Sequence, residues 1–218
     1  MPFVTGVDEA GLGALAGPMT VGAVTLEAPT TRLDRLREWW PIKLVRDSKQ
    51  MAEHDRNRAL KLLVQYVSDY GGHIALGEAD VELFNRYGHA NSLTFALNEV
   101  SDNIWKGPQP SLVLLDGNNL LPPGPLDAVE QVALPKADRD FFIVAAASIV
   151  AKTTRDRYMQ ALGRECPQYL FERHKGYGTA QHIANLQQNG IGPHHRVKAC
   201  QTALGIRERP QGRRERLT

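Results

Sequence analysis

Two aliphatic stretches of this chain run straight into carboxylates, and that coincidence constrains it more than any other feature of its 218 residues. Residues 3–8 have strand character and end at Asp8, with Glu9 next. Residues 111–115, SLVLL, are closed by Asp116 and Gly117. A third acid, Asp138, follows a candidate strand at 131–134 and precedes the apolar run FFIVAAASIVA. Short apolar runs bounded by turn residues read as buried strands. A carboxylate at the end of one is costly unless it is paired, hydrogen-bonded or bound to a cation, and several converging repel one another. No matching set of buried lysines or arginines is evident, which leaves a divalent cation as the economical counter-charge. Ligation by oxygen alone points to magnesium or manganese rather than zinc. Two such ions side by side can polarise a phosphodiester, generate hydroxide and stabilise the leaving oxygen. For any one of these acids taken alone, a turn or helix-cap role is the commoner explanation.

The remaining pattern is that of one mixed α/β domain with helices over a central sheet. Residues 19–26, MTVGAVTL, form a second strand candidate after a Gly/Pro turn, and 73–76 a further one. Helical spacing runs over 52–70 (Ala59, Leu63, Tyr66, Val67), ended by Gly71-Gly72, and over 81–105, interrupted near Gly88. Residues 143–162 and 180–188 are also helical, and 122–125 is loop. The expected organisation is a core over about 1–165, a helical extension over 166–205 and an arginine-rich tail over 206–218. The tail, with Arg207, Arg209, Arg213, Arg214 and Arg216, reads as a solvated terminus or a weak phosphate attractor. The net charge of +2 favours no class of partner. No stretch reaches the ~20 apolar residues of a membrane span, and Cys166 and Cys200 stand apart without metal-site spacing. A cytoplasmic monomer is expected.

Three further motifs remain ambiguous by themselves. Gly11-Leu12-Gly13-Ala14-Leu15-Ala16-Gly17-Pro18 formally matches a dinucleotide fingerprint, but Pro18 and a β-rich segment follow where a helix should begin. It is either an ordinary strand connection or a loop whose backbone approaches a ligand closely. Ser148, Lys152 and Asp156 recur at i, i+4 and i+8 of one helix. They form either its wet side, with an ordinary Lys152–Asp156 pair, or the flank of a charged site. In HKGYGT (174–179) two glycines around Tyr177 can present an aromatic ring, although most tyrosines are packing residues.

Taken together, GVDEAGLGALAGP (6–18), RDSK (46–49), LLDGN (114–118), KAD (136–138), AAASIVAKTTRDRYM (145–159), HKGYGT (174–179) and HHR (194–196) resemble the ribonuclease HII family, in its order and over nearly the whole chain. The resemblance implies an RNase H-like fold: a mixed five-stranded sheet flanked by helices, with a C-terminal helical extension. It implies that Asp8, Glu9, Asp116 and Asp138 bind two divalent cations, Mg2+ or Mn2+, with Asp8 bridging them. The implied substrates are RNA–DNA hybrids and duplex DNA containing single ribonucleotides, cut to 5′-phosphate and 3′-hydroxyl ends. The loop Gly11-Leu12-Gly13 and Tyr177 would sense the 2′-hydroxyl, the group that distinguishes RNA from DNA. Lys49 would meet phosphate, and Ser148, Lys152 and Asp156 would support the site. The sequence departs from the family at Leu12, where an arginine is usual, and after Arg196, where Lys198-Ala199-Cys200 replaces the usual Ser-Phe.

Overall fold

Strand β1 (Phe3–Ala10) is the central strand because both of its faces are apolar, with Val4 turned to one layer of helices and Val7 to the other. In this computed structural model, which describes residues 1–206, β1 pairs antiparallel with β2 (Met19–Glu27), and β2 pairs antiparallel with β3 (His73–Ala79). On its other edge β1 pairs parallel with β4 (Leu112–Asp116), which pairs parallel with β5 (Glu130–Leu134). The five-stranded sheet has the order β3-β2-β1-β4-β5, and the mixed α/β sandwich expected from the sequence is borne out. The arginine run of the tail lies outside the described residues.

Glycines set the spacing between the layers. Helix α5 (Phe142–Glu165) lies on the β1 and β2 backbones, and a Cβ at Gly22 would stand 2.6 Å from Ala147 O and 2.8 Å from Ala151 N. Gly6 presses equally on the backbone of Ile143. Residues 142–151 of this helix are consequently buried all round. Beside it α2 (Glu53–Asp69) contributes Ala59, Leu63 and Val67 to the same core. The opposite face is covered by α3 (Val81–Trp105), through Phe84, Ala96, Leu97, Val100 and Ile104. Asp80 caps α3 by accepting the Leu83 N–H at 2.8 Å, and the expected interruption is real: Gly88 has φ 79°.

Two strand boundaries differ from the sequence reading by two residues or more, and α5 also runs on to Glu165 instead of ending at residue 162. Strand β1 does not stop at residue 8 but continues to Ala10, so Asp8 and Glu9 lie within it, opposite Gly22 and Val21. Strand β3 likewise runs to Ala79 instead of ending at residue 76. In both cases the ladder offered by β2, which no local propensity reports, extends the pairing.

Beyond α5 the chain forms α6 (Phe171–His174), α7 (Ala180–Asn189) and α8 (Val197–Ala203). They pack on the glycine loop: Ala16 joins Met159, Leu162, Tyr169 and Phe171, and Leu15 joins Leu186 and Cys200. Among the described residues no helix is long and apolar enough to cross a membrane.

Because a methyl group at Gly22 meets helix backbone and no flexible side chain, Gly22→Ala is expected to lower the unfolding free energy by about 1–3 kcal/mol. Urea titration of the variant is the measurement; an unchanged midpoint would mean that α5 can withdraw freely.

Candidate active site

The parallel register of β1 with β4 determines which acids meet. Val4 pairs with Leu112 and Gly6 lies opposite Leu114, so the next same-face step brings Asp8 alongside Asp116. Alternate strand residues share a face, and both acids belong to the face that α5 covers. Asp138 arrives from the short helix α4 (Ala137–Asp140), entered through Lys136 in the left-handed conformation (φ 65°). Asp116 Oδ1 accepts the Ala137 N–H at 2.8 Å, tying the start of α4 to the end of β4. Asp8, Asp116 and Asp138 each present an oxygen within 4.8 Å of the others.

Glu9 lies outside this threesome. As the neighbour of Asp8 on a strand, it projects from the opposite face and lines a cleft of about 300 Å³ with Val7, Leu12, Leu97, Asp116 and Asn118. Asp8 lines this cleft as well.

Electrostatics bind the four acids into one unit. Burial pushes Asp8 up to about 8, aided by the charges of Glu9 and Asp116; Ser148 and Lys49 oppose the shift. Burial and then Asp116 also raise Glu9 and Asp138. Burial alone would lower Lys49, but the combined charge of Asp8, Asp138, Asp116 and Glu9 raises it. Its Nζ lies 3.8 Å from Asp138 Oδ2. One ammonium cannot neutralise four carboxylates. Asp8 Oδ1 accepts the Glu9 N–H at 2.8 Å, whereas Oδ2 is buried and has no hydrogen-bond partner among the described residues. A cluster of hard oxygens with one orphaned buried acceptor fits a divalent cation of the magnesium or manganese type.

The polar stripe of α5 is not a wet side: Ser148 and Asp156 are buried. Ser148 Oγ bonds Ser48 Oγ at 2.8 Å, joining α5 to the RDSK turn that holds Lys49. Asp47 orders that turn by accepting the Lys49 N–H at 3.0 Å. Asp156 receives Lys152 Nζ at 2.7 Å and Arg56 Nη2 at 2.9 Å. Lys152 Nζ in turn stands 5.4 Å from the centre of the Tyr177 ring, and the Arg155 guanidinium stands 5.1 Å from it. The stripe therefore runs from the acids to Tyr177, which is half-buried.

Buried cations are present, but they do not form a set that matches the four acids. Arg56, Arg155 and Arg196 are buried, but they serve other partners than the acids, which is why the cluster remains short of positive charge. Arg155 donates to Ala16 O, Pro18 O and Lys175 O at 2.8–3.0 Å. Arg196 bonds Gly17 O twice and Leu12 O once while stacking 3.6 Å over Phe84. Together they stitch the glycine loop to the Tyr177 turn. Gly11 (φ 89°) has no room for a Cβ beside Arg155, whereas Gly13 is exposed with open space around it. The Leu12 side chain packs toward the α3 core. A signal for Arg155 is present in the sequence: it continues the buried row Ala147, Ala151, Met159 at four-residue spacing. Arg56 likewise stands three residues before Ala59 on the buried row that continues through Leu63 and Val67, whereas Arg196 has no such local mark.

Comparison with known proteins agrees with this arrangement. The ribonuclease HII family model matches residues 5–202. The chain is 36% identical over 195 residues to ribonuclease HII of Thermotoga maritima, covering 89% of this chain and 72% of that one. It is 37% identical over 196 residues to ribonuclease HII 1 of Methylibium petroleiphilum, covering 90% and 89%. Among solved structures, ribonuclease HII of Archaeoglobus fulgidus, in a complex with PCNA, superposes with a TM-score of 0.65 at 24% identity, covering 94% of this chain and 97% of that one. Ribonuclease H2 of Pyrococcus horikoshii gives 0.61 at 24% identity, covering 92% and 96%. At these identities the structural likeness speaks for the fold.

The raised Asp8 sets a pH dependence of stability. The metal-free fold keeps a proton on Asp8 up to about pH 8, whereas the unfolded chain releases it near the ordinary value of 3.8. The folded state binds the extra proton, so metal-free stability declines as pH rises through that window. Manganese held by these acids would take the place of the proton, so its stabilising effect is expected to grow over the same range. Thermal melts at several pH values with chelator or Mn2+ measure this, and Asp8→Asn is expected to flatten the metal-free slope. A metal-free melting temperature that climbs across the window would contradict the assignment.

Proposed function

Since the chain belongs to the ribonuclease HII family and is thus a metal-dependent ribonuclease H, we propose that it hydrolyses the RNA strand of RNA–DNA hybrids by a two-metal reaction. We extend the reading to single ribonucleotides in duplex DNA, cut on their 5′ side to leave 5′-phosphate and 3′-hydroxyl ends. The observation that supports this best is the meeting of Asp8, Asp116 and Asp138 within 4.8 Å at one end of the central parallel strands. The orphaned Asp8 oxygen adds to it.

In this reading Asp8, Asp116 and Asp138 hold magnesium or manganese, with Asp8 shared between two ions. Glu9 completes the set from the other side of the cleft. Bound ions supply the positive charge that draws in the scissile phosphate and activates the attacking water. Lys49, on its exposed turn beside Asp138, meets a substrate phosphate. The Gly11-Leu12-Gly13 backbone and Tyr177 read the 2′-hydroxyl; Ser148, Lys152 and Asp156 hold Lys49's turn and Tyr177 in place around the acids. Because Leu12 supplies no guanidinium, recognition of an isolated ribonucleotide rests here on loop backbone and Tyr177. The free cysteines Cys166 and Cys200 suit a reducing compartment, and we infer a monomer acting in the cytoplasm.

Incubation with labelled all-RNA hybrid, single-ribonucleotide duplex and all-DNA duplex, each with Mg2+ or Mn2+, tests the activity. The first two are expected to be cut and the third to stay intact. Asp8→Asn is expected to lose more activity than the about 100-fold that an outer-sphere partner typically costs, with folding retained. Normal turnover by that variant would refute the metal assignment. Leu12→Arg is expected to raise cutting of the single-ribonucleotide duplex relative to the hybrid, and an unchanged ratio would make that side chain dispensable.

A further inference from the structure

Three histidines buried beneath the Tyr177 turn take no part in the chemistry described so far. His182 and His195 are fully enclosed and His174 nearly so. His182 Nε2 and His195 Nε2 lie 3.1 Å apart, and His182 Nδ1 lies 3.0 Å from the Tyr177 carbonyl oxygen. His195 Nδ1 faces the Gly192 N–H at 3.1 Å. The His174 ring stacks on His182 with centroids 4.2 Å apart.

One assignment makes both histidine bonds of this chain, and it forgoes donation from His195 Nδ1 to Gly192 O, which lies at 3.3 Å. A carbonyl oxygen only accepts, so His182 Nδ1 bears the proton that reaches Tyr177. In a neutral ring His182 Nε2 is then an acceptor, and His195 Nε2 is its donor. His195 Nδ1 is left with a lone pair, which the Gly192 N–H fills. Burial pushes His182 and His195 down to about 4, so both rings are neutral near pH 7. His174 is fixed in the same way: Nδ1 accepts the Gly176 N–H at 3.2 Å and Nε2 donates to Tyr169 O at 2.8 Å.

The two ends of this chain belong to the two halves of the substrate reader. His195 forms a β-bridge with Ala16 of the glycine loop, flanked by Gly17 N–H to His194 O at 3.0 Å and Arg196 N–H to Leu15 O at 2.8 Å. The other end is the main chain of Tyr177, in a turn where Lys175 (φ 51°) and Gly176 (φ 80°) are both left-handed. The turn is already tied to the loop through Gly176 O, which accepts the Leu15 and Ala16 N–H groups at 2.8 and 3.2 Å, and Tyr177 O accepts the Thr179 N–H at 2.8 Å; the histidines add the side-chain link that reaches Tyr177 itself. We propose that the chain from His195 through His182 to the Tyr177 carbonyl sets the position of Tyr177 relative to the glycine loop, making both histidines positioning residues for ribonucleotide recognition. This rests on the assignment of Tyr177 to 2′-hydroxyl sensing given above.

The test compares kcat/KM on a single-ribonucleotide duplex with kcat/KM on an all-RNA hybrid. His182→Phe preserves the aromatic packing and removes the bond, and is expected to lower the ratio about tenfold, the scale of one hydrogen bond. His182→Asn keeps a donor near the Nδ1 position and is expected to recover most of the ratio. His195→Phe, which leaves the Tyr177 bond but frees the His182 ring, is expected to fall between them and serves if His182→Phe does not fold. Adding His182→Phe to Tyr177→Ala is expected to cause no further loss, since both act through one contact. Variants that lower the melting temperature while leaving the ratio intact overturn the proposal, as does an additive double variant. If Tyr177→Ala itself leaves the ratio unchanged, the sensing role fails and the chain's role with it; failure at His182 and His195 alone sinks only the chain.

Discussion

Mutual repulsion between two buried acids and a half-buried third is the constraint around which this molecule is arranged. Asp8, Asp116 and Asp138 present oxygens within 4.8 Å of one another, with a single lysine facing them at the rim. Nothing local favours that arrangement, so the packing of the whole fold opposes it. Helix α5, lying on the bare backbones of Gly6 and Gly22, fixes the two central strands beneath it, and the parallel pairing of β1 with β4 fixes two of the acids side by side. A site held this way is organised by the packing around it, and a cation bound there would relieve the repulsion.

The sheet and the acids were legible for a physical reason. Strands buried on both faces leave continuous apolar runs, and an acid at the end of SLVLL or beside Phe3–Val7 breaks a pattern strong enough to be noticed. The family resemblance then linked Asp138 and Tyr177 to them. What could not be read depended on contacts between distant segments. Strand β1 continues past Asp8 because β2 offers partners, which places Glu9 on the opposite face from its neighbour. The stripe of Ser148, Lys152 and Asp156 looked equally like a solvated face, since Arg56 and Ser48, its partners, lie about a hundred residues away.

The buried arginines illustrate the same limit. Arg155 and Arg196 donate to main-chain carbonyls of the glycine loop and the Tyr177 turn; the buried row of α5 marks Arg155 as enclosed, but nothing local names its partners. Carbonyl oxygens in an irregular loop need donors once they are enclosed, and a forked guanidinium supplies several at once. The glycine loop is therefore held from behind by cations, and the Leu12 side chain turns toward the α3 core.

The strand order also governs when the protein becomes competent during its own synthesis. Asp8 emerges among the first residues, yet its neighbour Asp116 lies more than a hundred positions downstream, after β2, β3 and two long helices. Pairings of such wide separation form late, because loop closure must be met before they are rewarded. A nascent chain stopped short of β4 carries Asp8 and Glu9 but neither Asp116 nor Asp138, so the cluster of three aspartates assembles only when β4 and α4 have joined the sheet.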